Sequence, residues 1–186
     1  MDNHSLYNKA DKKYGVSAKG LKWSSSKRQF IRFEVLLDFI KNDIENTTIL
    51  DVGCGYGDLI TYIQKSFLFP KSYIGIDCEE FILNITKKRF PNSIFLQKNI
   101  LKDDLPKADY YVCSGALNIL NEDNYLEAIQ KCYKQSTKGF IFNSLTESFV
   151  HNLTIFDVYL YCQNLSKEVI LKENYLNNDF TIFMKK

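Results

Sequence analysis

Short hydrophobic stretches alternate along the chain with longer segments whose apolar residues recur at helical spacing. The first pattern predicts β-strands and the second predicts amphipathic helices. The predicted strands are TTILDV (47–52), SYIGID (72–77), SIFLQ (93–97), ADYYVCSG (108–115) and GFIFNSL (139–145). The predicted helices are GDLITYIQKSF (57–67), EEFILNITKKRF (79–90), NEDNYLEAIQKCYKQ (121–135) and LTIFDVYLYCQNL (153–165). This alternation predicts a mostly parallel sheet with helices on both faces.

The end of the chain departs from this alternation because two predicted strands follow each other without a helix. The segment is KEVILKENYLNNDFTIFMKK (167–186), and its turn lies around Asn177, Asn178 and Asp179. These residue types favour tight turns, so the two strands should form an antiparallel hairpin. We therefore predict an α/β fold with a seven-stranded, mostly parallel sheet and an antiparallel C-terminal hairpin.

The N-terminal segment differs in character from the rest of the chain. Residues 1–22 are polar and predict an arm. The following WSSSKRQFIRFEVLLDFI (23–40) has serines suited to capping and then Phe30, Phe33, Leu37 and Ile40 on one helical face. No stretch remains for a second domain. We expect one domain over residues 1–186, with the arm and a capping helix at 1–47 and a ligand-binding core at 48–186.

The composition indicates a globular protein, which we expect to be cytoplasmic. Apolar residues make up 45% of the 186 residues and charged residues 25%. The apolar runs are too short to cross a bilayer, and MDNHSLYNKADKK at the N-terminus lacks the apolar segment of a secretory signal. The five cysteines form no CxxC pair, so reduced thiols and no metal site are expected.

The net charge of +2 conceals an asymmetry along the chain. Residues 1–32 carry eight basic and two acidic side chains (+6), and the other 154 residues carry sixteen basic and twenty acidic side chains (−4). A basic arm can bind an anion or lie across the acidic body. The charge is too diffuse to predict a nucleic-acid site.

The strongest chemical signal is TILDVGCGYGD (48–58), in which Gly53, Gly55 and Gly57 follow a strand and precede a helix. Ligands of parallel α/β sheets bind beyond the carboxyl ends of the strands. Glycines there remove side chains where a ligand must contact the backbone. The helix that begins near Asp58 presents free amide groups to the same place.

An acidic residue, Asp77, ends the next strand, twenty residues after Gly57. A carboxylate there can accept hydrogen bonds from both ribose hydroxyls, although it can also cap the following helix. A nicotinamide dinucleotide is the first alternative, but its GxGxxG turn holds a pyrophosphate. Here a GxGxG turn lies between Asp51 and Asp58, which disfavours pyrophosphate and favours a ligand with an ammonium group.

The segments ILDVGCGYGDL and YIGIDCEEFI together resemble the S-adenosylmethionine site of class I S-adenosylmethionine-dependent methyltransferases. The resemblance runs from about residue 48 to the C-terminus and implies a Rossmann-like fold. It implies S-adenosyl-L-methionine as cofactor and S-adenosyl-L-homocysteine as product. The segment YGVSAKGLKWSSSKRQFIRFEVLL (14–37) resembles part of a largely uncharacterised bacterial subgroup and indicates no substrate.

The resemblance implies roles for the matching positions. The methionine part of the cofactor would contact Gly53, Cys54 and Gly55, with Asp51 near its ammonium group, Asp77 on the ribose and Cys78 beside the adenine. Asn99, followed by Ile100, stands where the family often has an acidic residue at the adenine amino group, and its carbonyl oxygen can still accept. The transferred methyl would point to Ser114 and Gly115, with Leu117 and Asn118 following in that loop.

Further candidates lie outside the glycine turn. Tyr14, Trp23, Gln29 and Arg32 fall in the second matched segment, where a lid over the cofactor would lie. Arg32 or Arg28 can form a fork with the cofactor carboxylate, or instead a surface ion pair. Candidates for a catalytic role are His151, Asn118 and Tyr14; His151 lies near the expected substrate entrance and is either a general base or incidental.

The resemblance implies in-line methyl transfer, which requires a base only if the acceptor is protonated. The family's Asn-Pro-Pro-aromatic motif for methylation of adenine or glutamine nitrogen is replaced here by SGALN (114–118), which disfavours those acceptors. Because no stretch remains for an appended recognition domain, we expect a small-molecule acceptor and neither a nucleic-acid nor a membrane partner. The aromatic segment 146–165 can line its pocket or form a core helix. The alternatives are a catalytically silent cofactor-binding sensor or partner subunit, and an RNA or protein methyltransferase that uses the basic arm.

Overall fold

The computed structural model describes residues 26–66, 68–148 and 150–186. One sheet contains the strands β1 (Thr48–Val52), β2 (Ser72–Asp77), β3 (Ile94–Gln97), β4 (Ala108–Ser114), β5 (Ser136–Leu145), β6 (Glu168–Lys172) and β7 (Asp179–Lys185). The α-helices are α1 (Ser26–Asp38), α2 (Asp58–Lys65), α3 (Glu80–Arg89), α4 (Glu122–Gln135) and α5 (Ile155–Leu165). Short 3-10 helices cover Ile44–Asn46 and Ala116–Ile119. The predicted arm, with Tyr14 and Trp23, lies outside the described residues.

The strand order in the sheet is β3-β2-β1-β4-β5-β7-β6. Strands β1 to β5 are parallel, and β7 is antiparallel to both β5 and β6. The predicted mixed sheet and its C-terminal hairpin are therefore confirmed. The order reverses between β1 and β4, which is where open α/β sheets place their ligands.

The helices cover the sheet in two apolar layers because alternate strand residues point to opposite faces. On one face, α1 and α2 pack against Ile49, Val112, Ile141 and Phe183. On the other face, α4 and α5 pack against a cluster of buried residues that includes Tyr111, Phe140, Phe142 and Ile182. The two layers leave the carboxyl ends of β1, β2 and β4 free for a site.

Local chemistry sets the helix boundaries. Thr154 accepts a hydrogen bond from the Asp157 amide, and the Asp157 carboxylate accepts one from the Thr154 amide. This capping box fixes the start of α5 although its sequence is rich in aromatic residues that favour strands. At the start of α4 a single bond forms, in which Oδ1 of Asn121 accepts from the Asn124 amide.

Candidate functional site

The three glycines between β1 and α2 all have positive φ angles: +73° at Gly53, +53° at Gly55 and +79° at Gly57. Such angles are unfavourable for residues with a Cβ atom. Space is also limited, since a Cβ on Gly53 would lie 2.3 Å from Cβ of Ala116 and one on Gly57 would lie 2.6 Å from the Phe90 ring. The backbone shape and the close packing both require glycine here.

Hydrogen bonds fix the glycine turn to the end of β2. The amides of Gly53 and Cys54 both donate to the carbonyl oxygen of Ile76, at 2.8 and 2.9 Å. The amide of Gly55 donates to Oδ2 of Asp77 at 3.0 Å, and Oγ1 of Thr86 donates to the Gly55 carbonyl at 2.7 Å. The turn is therefore held in one shape by β2 and α3.

A cavity of about 490 Å³ opens beside this turn. Its volume lies within the range of roughly 300–1,000 Å³ that is typical of small-molecule sites. Its walls include the ends of β1, β2 and β4, the segment 98–101 and α1. Most of the predicted cofactor residues line it, namely Gly53, Gly55, Asp77, Cys78, Asn99, Ile100, Ser114, Gly115 and Arg32, together with Asn118.

Asp77 lies at the centre of the predicted nucleoside site and also has local partners. Its Oδ2 accepts from the Gly55 amide and its Oδ1 from the Glu79 amide, each at 3.0 Å. Burial raises the pKa of this carboxyl, and the amides of Glu79, Gly55 and Cys78 oppose the rise. The bond to Glu79 resembles the capping role predicted as the alternative. Because each carboxylate oxygen can accept more than one hydrogen bond, the ribose prediction is compatible with both contacts.

Asp51 is buried beneath the turn and does not line the cavity. It is 3% exposed, and its Oδ2 accepts a hydrogen bond of 2.5 Å from the hydroxyl of Tyr73. Burial raises the pKa of Asp51 to about 7, with Asp77 and Asp58 adding to the effect and the Tyr73 hydroxyl opposing it. A nearby cation would stabilise the charged form. The predicted ammonium contact stays a prediction, and it would have to act across the turn.

Asp58 and Cys54 contact other side chains of the protein and do not line the cavity. Asp58 accepts a hydrogen bond from Nε2 of Gln29 at 3.2 Å, and Nη1 of Arg89 lies 3.6 Å from it. Cys54 is buried against Phe95 and other apolar residues rather than lining the cavity. Cys78, in contrast, lies at the cavity wall with much of its surface exposed, and the partial burial of its thiol and then the nearby Asp77 raise its pKa to about 11.

The two arginines of α1 reach the cavity wall but bind the start of β7. Arg32 donates to Asp179 through Nε at 2.6 Å and through Nη2 at 3.0 Å. Arg28 donates to the carbonyl oxygen of Asn177 at 2.7 Å and to Asp179 at 3.3 Å. Arg32 therefore makes the predicted pair of hydrogen bonds to a carboxylate, but the carboxylate is that of Asp179. A cofactor carboxylate would have to share Arg32 with Asp179. In the sequence, Asp179 was interpreted only as a turn residue.

Asn99 shapes the segment that was predicted to contact adenine. Its side-chain Oδ1 accepts from the backbone amides of Leu101 and Lys102 at 3.0 and 3.3 Å. The backbone amide of Asn99 donates to the Asp103 carboxylate. The carbonyl oxygen that was expected to meet the adenine amino group is thus already bonded. The adenine prediction stays open, and Nδ2 is the atom of Asn99 that remains for a ligand.

The end of β4 carries the loop where the transferred methyl was predicted to point. Oγ of Ser114 is buried and has no hydrogen-bond partner in the part of the chain that the structure describes, and Gly115 has a φ of +77°. Asn118 holds the loop against β5, since its Oδ1 accepts from Oγ of Ser144 at 2.6 Å and from the Leu145 amide at 3.3 Å. These bonds occupy the carbonyl oxygen of the Asn118 side chain, so Nδ2 is its atom that remains for a ligand.

His151 is 7% exposed and packs on Tyr125, with the ring centroids 4.7 Å apart. Neither of its ring nitrogens has a hydrogen-bond partner within residues 26–66, 68–148 and 150–186. Burial lowers its pKa, and Glu122 opposes this, so the ring is in a neutral form that can accept a proton. His151 is not among the residues that line the cavity, and its role as a general base stays a prediction.

A family model for a methyltransferase domain matches residues 49–139, from β1 into β5. A predicted methyltransferase of Mycobacterium tuberculosis is 29% identical over 166 residues, which cover 79% of this chain and 98% of that protein. The protein is an S-adenosylmethionine-dependent methyltransferase. The family expected from the glycine turn is confirmed, and with it S-adenosylmethionine as the cofactor of this methyltransferase.

One further protein sequence and one solved structure are each similar to part of this methyltransferase. A predicted methyltransferase of Invertebrate iridescent virus 6 is 30% identical over 105 residues, and the match covers 55% of this chain but 39% of the viral protein. The structure of magnesium protoporphyrin IX methyltransferase from Synechocystis PCC 6803 with bound S-adenosylhomocysteine superposes with a TM-score of 0.69 at 10% identity. The superposition covers 85% of this chain and 84% of that one, which supports the fold. Among the described residues, every helix is too short or too polar to cross a bilayer.

Proposed function

We propose that this methyltransferase transfers the methyl group of S-adenosylmethionine to a small molecule by in-line displacement. The observation that carries the proposal is the cavity of about 490 Å³, which joins the glycine turn and Asp77 to the end of β4. A cofactor held by the turn and by Asp77 would extend toward Ser114 and Gly115, and little volume would remain for a large acceptor.

The residues around the cavity supply binding, orientation and exclusion of water. Bound S-adenosylmethionine supplies an electrophilic methyl group on a positively charged sulfur. Asp77 would accept hydrogen bonds from ribose hydroxyls, and the field of the carboxylates at the turn favours a cationic ligand. Apolar side chains from β2, α3 and the segment 98–101 would exclude water from the adenine; these are Ile76, Ile82, Ile100 and Leu101. Alignment of acceptor, methyl and sulfur is the main contribution that such a site makes.

The acceptor class can be tested with S-adenosylmethionine that carries an isotopic label in its methyl group. The purified protein is incubated with this cofactor and a cell extract, which is then separated into low-mass, RNA and protein fractions. The proposal predicts label in the low-mass fraction with the native protein and much less with Asp77→Asn when the cofactor concentration is below saturation. Glu45→Gln, which changes an exposed carboxylate before β1, is the matched control and should retain transfer.

Label in the RNA or protein fraction would contradict a small-molecule acceptor and favour the basic arm as a docking element. Label in no fraction, from a protein that binds the cofactor, would favour a silent sensor or partner subunit.

A further inference from the structure

The cavity runs along the carboxyl edge of the sheet and crosses several strands in their spatial order. Asn99, just after β3, and Asp77, at the end of β2, line one end, and Leu145, at the end of β5, lines the other. Because neighbouring strands lie about 4.8 Å apart, the ends of β2 and β5 are separated by roughly 14 Å. A cofactor with its ribose at Asp77 and its methionine part at the glycine turn of β1 would reach β4. An acceptor would therefore lie beyond it, beside β4 and β5.

The polar groups at this far end of the cavity are mainly hydrogen-bond donors. We call this end the acceptor end, and its residues are Arg28, Arg32, Ser114, Asn118 and Leu145. Oδ1 of Asn118 accepts from Oγ of Ser144 and from the Leu145 amide, so Nδ2, a donor, remains for a ligand. Oγ of Ser114 is buried and has no partner within the described ranges, although buried hydroxyls are normally bonded. This hydroxyl can donate to a ligand in the cavity.

Two arginines of α1 add positive charge at the acceptor end. Arg28 and Arg32 both bind Asp179 at the start of β7, and Asp179 is the register partner of Leu145 at the end of β5. This pairing places both arginines beside β5, away from Asp77. The arginines line the cavity and Asp179 does not. A guanidinium group donates hydrogen bonds and never accepts them.

The carboxylates that line the cavity lie at the opposite end. Among the residues that the structure describes, they are Asp77 and Glu79, at and just after the end of β2, and the other charged group there, Lys98, follows β3. No described histidine or tyrosine lines the cavity. The described part of the acceptor end therefore offers no group that could take a proton from an alcohol or an ammonium ion.

We infer that the methyl acceptor is an anion, such as a carboxylate or a thiolate, and that Arg28, Ser114 and Asn118 hold it. Such an acceptor needs no base. One of its lone pairs forms the bond to the methyl carbon, the carbon–sulfur bond breaks, and the electron pair of that bond stays on sulfur. The negative charge of the acceptor and the positive charge on sulfur disappear together, and no proton is released. This inference rests on the proposed function, since it names the acceptor class of the same cavity.

The acceptor end can be probed with aromatic molecules of similar size and different charge. Protein saturated with S-adenosylhomocysteine is mixed with benzoate, 4-nitrothiophenolate, benzamide or benzylamine, and binding is followed by saturation-transfer NMR. The first two probes are anions, the third is neutral and the fourth is a cation. We expect the signals of the two anions to be at least fivefold stronger than those of the other two probes.

Two substitutions test the residues that would hold the anion. Asn118→Asp keeps an oxygen for the bonds from Ser144 and Leu145 and replaces the donor by a carboxylate oxygen, so it should abolish the anion signals. Arg28→Gln should weaken these signals at least fivefold. Lys27→Gln removes the same charge from an exposed position of α1 that does not line the cavity, and as the matched control it should leave them unchanged.

A second readout separates the acceptor from the carboxylate of the cofactor, which is the other anion that Arg28 can bind. We expect Arg28→Gln to bind S-adenosylhomocysteine, and 5′-methylthioadenosine, which lacks that carboxylate, within twofold of the native protein. This result would also show that the variant is folded. A selective loss of affinity for S-adenosylhomocysteine would overturn the inference by assigning Arg28 to the cofactor.

Two further outcomes would overturn the inference while the proposed function stands. One is that the anions give signals no stronger than those of benzamide and benzylamine, from protein that binds S-adenosylhomocysteine. The other is that Asn118→Asp gives anion signals equal to those of the native protein. Failure of the native protein to bind S-adenosylhomocysteine would overturn the proposed function and this inference together.

Discussion

Individual residues at the glycine turn have two separate tasks, one in backbone shape and one in charge. Gly53, Gly55 and Gly57 give the turn a conformation that other residues adopt at a penalty. Asp51 and Asp77 give it two buried or half-buried carboxyls whose pKa values are raised by burial. The shape is required whether or not ligand is present, while the charges become favourable when a cation binds.

The first prediction concerns Gly53→Ala. The new Cβ would lie 2.3 Å from Cβ of Ala116 at a φ of +73°, so both crowding and backbone strain oppose the change. We expect the free energy of unfolding to fall by about 2–4 kcal/mol, as measured by urea denaturation. The double variant Gly53→Ala/Ala116→Gly removes the crowding and keeps the strain, so it should recover part of the loss. An unchanged free energy for the single variant would contradict the packing described here.

The second prediction concerns the pH dependence of stability at Asp51. Its pKa is about 7 in the folded protein against an ordinary value of 3.8, with burial as the main cause. Because the folded state holds this proton more tightly, the stabilising contribution is complete below about pH 3.8 and is lost as the pH rises through about 7. Asp51→Asn removes the titration, so the native protein should lose stability relative to this variant between pH 5 and pH 8, by about 1 kcal/mol or more.

Urea denaturation of both proteins at several pH values measures that difference. Asp104→Asn, at an exposed position, is the matched control and should show no such divergence from the native protein. A constant difference between the native protein and Asp51→Asn across this range would show that Asp51 titrates normally.

For individual residues, the local sequence pattern predicted which residues line the cavity better than it predicted the hydrogen bonds that these residues make. Gly53, Gly55 and Asp77 were predicted because a glycine turn and an acid at the next strand end are local features. The bonds between Asn99 and the amides that follow it were not predicted, because side-chain to backbone bonds depend on the exact turn.

At the scale of elements, α1 is attached to the sheet by an apolar face and by one buried ion pair. Phe33, Leu36 and Leu37 supply the apolar contact. Arg32 supplies two hydrogen bonds to Asp179, whose side chain is 1% exposed, and Arg28 adds a third. Both arginines also line the cavity, so the attachment of α1 affects the shape of the site.

The third prediction concerns Asp179→Ala. Loss of one partner leaves Arg32 buried without its carboxylate, which typically lowers the free energy of unfolding by about 3–5 kcal/mol. Amide hydrogen exchange should rise throughout α1 and less in α4, which packs on the other face. Glu168→Ala breaks the exposed pair with Lys185 and is the matched control, with an expected change below about 0.5 kcal/mol. Equal effects of the two substitutions would contradict a special role for the buried pair.

The order of elements along the chain was predictable, but part of their arrangement in the sheet was not. Period-two and helical patterns located the strands and helices, including the hairpin of β6 and β7. The position of β7 between β5 and β6 did not follow from the pattern, because strand order depends on contacts between distant segments. β5 begins at Ser136 rather than near Gly139, since pairing of Ser136 with Ala108 extends the strand beyond its apolar part.

At the scale of the whole molecule, the fold brings segments far apart in sequence to one edge of the sheet. The parallel strands β1, β2, β4 and β5 all end there, which places the glycine turn, Asp77, Ser114 and Asn143 along that edge. The glycine turn, Asp77 and Ser114 line the shared cavity. This arrangement follows from the strand-helix alternation alone. The identity of the methyl acceptor could not be predicted from the strand-helix alternation. Specificity depends on side chains at the strand ends, and the alternation does not constrain them.

The measurement that tests the central claim most directly is a calorimetric titration with S-adenosylmethionine, S-adenosylhomocysteine and NAD. The account predicts micromolar binding of the first two and none of NAD. With Asp77→Asn the affinity for both should fall by about tenfold to a hundredfold, because a charge-assisted hydrogen bond is lost, while Glu45→Gln should bind like the native protein. Binding of NAD, or unchanged affinity in Asp77→Asn, would contradict the assignment of the glycine turn and Asp77 as the cofactor site.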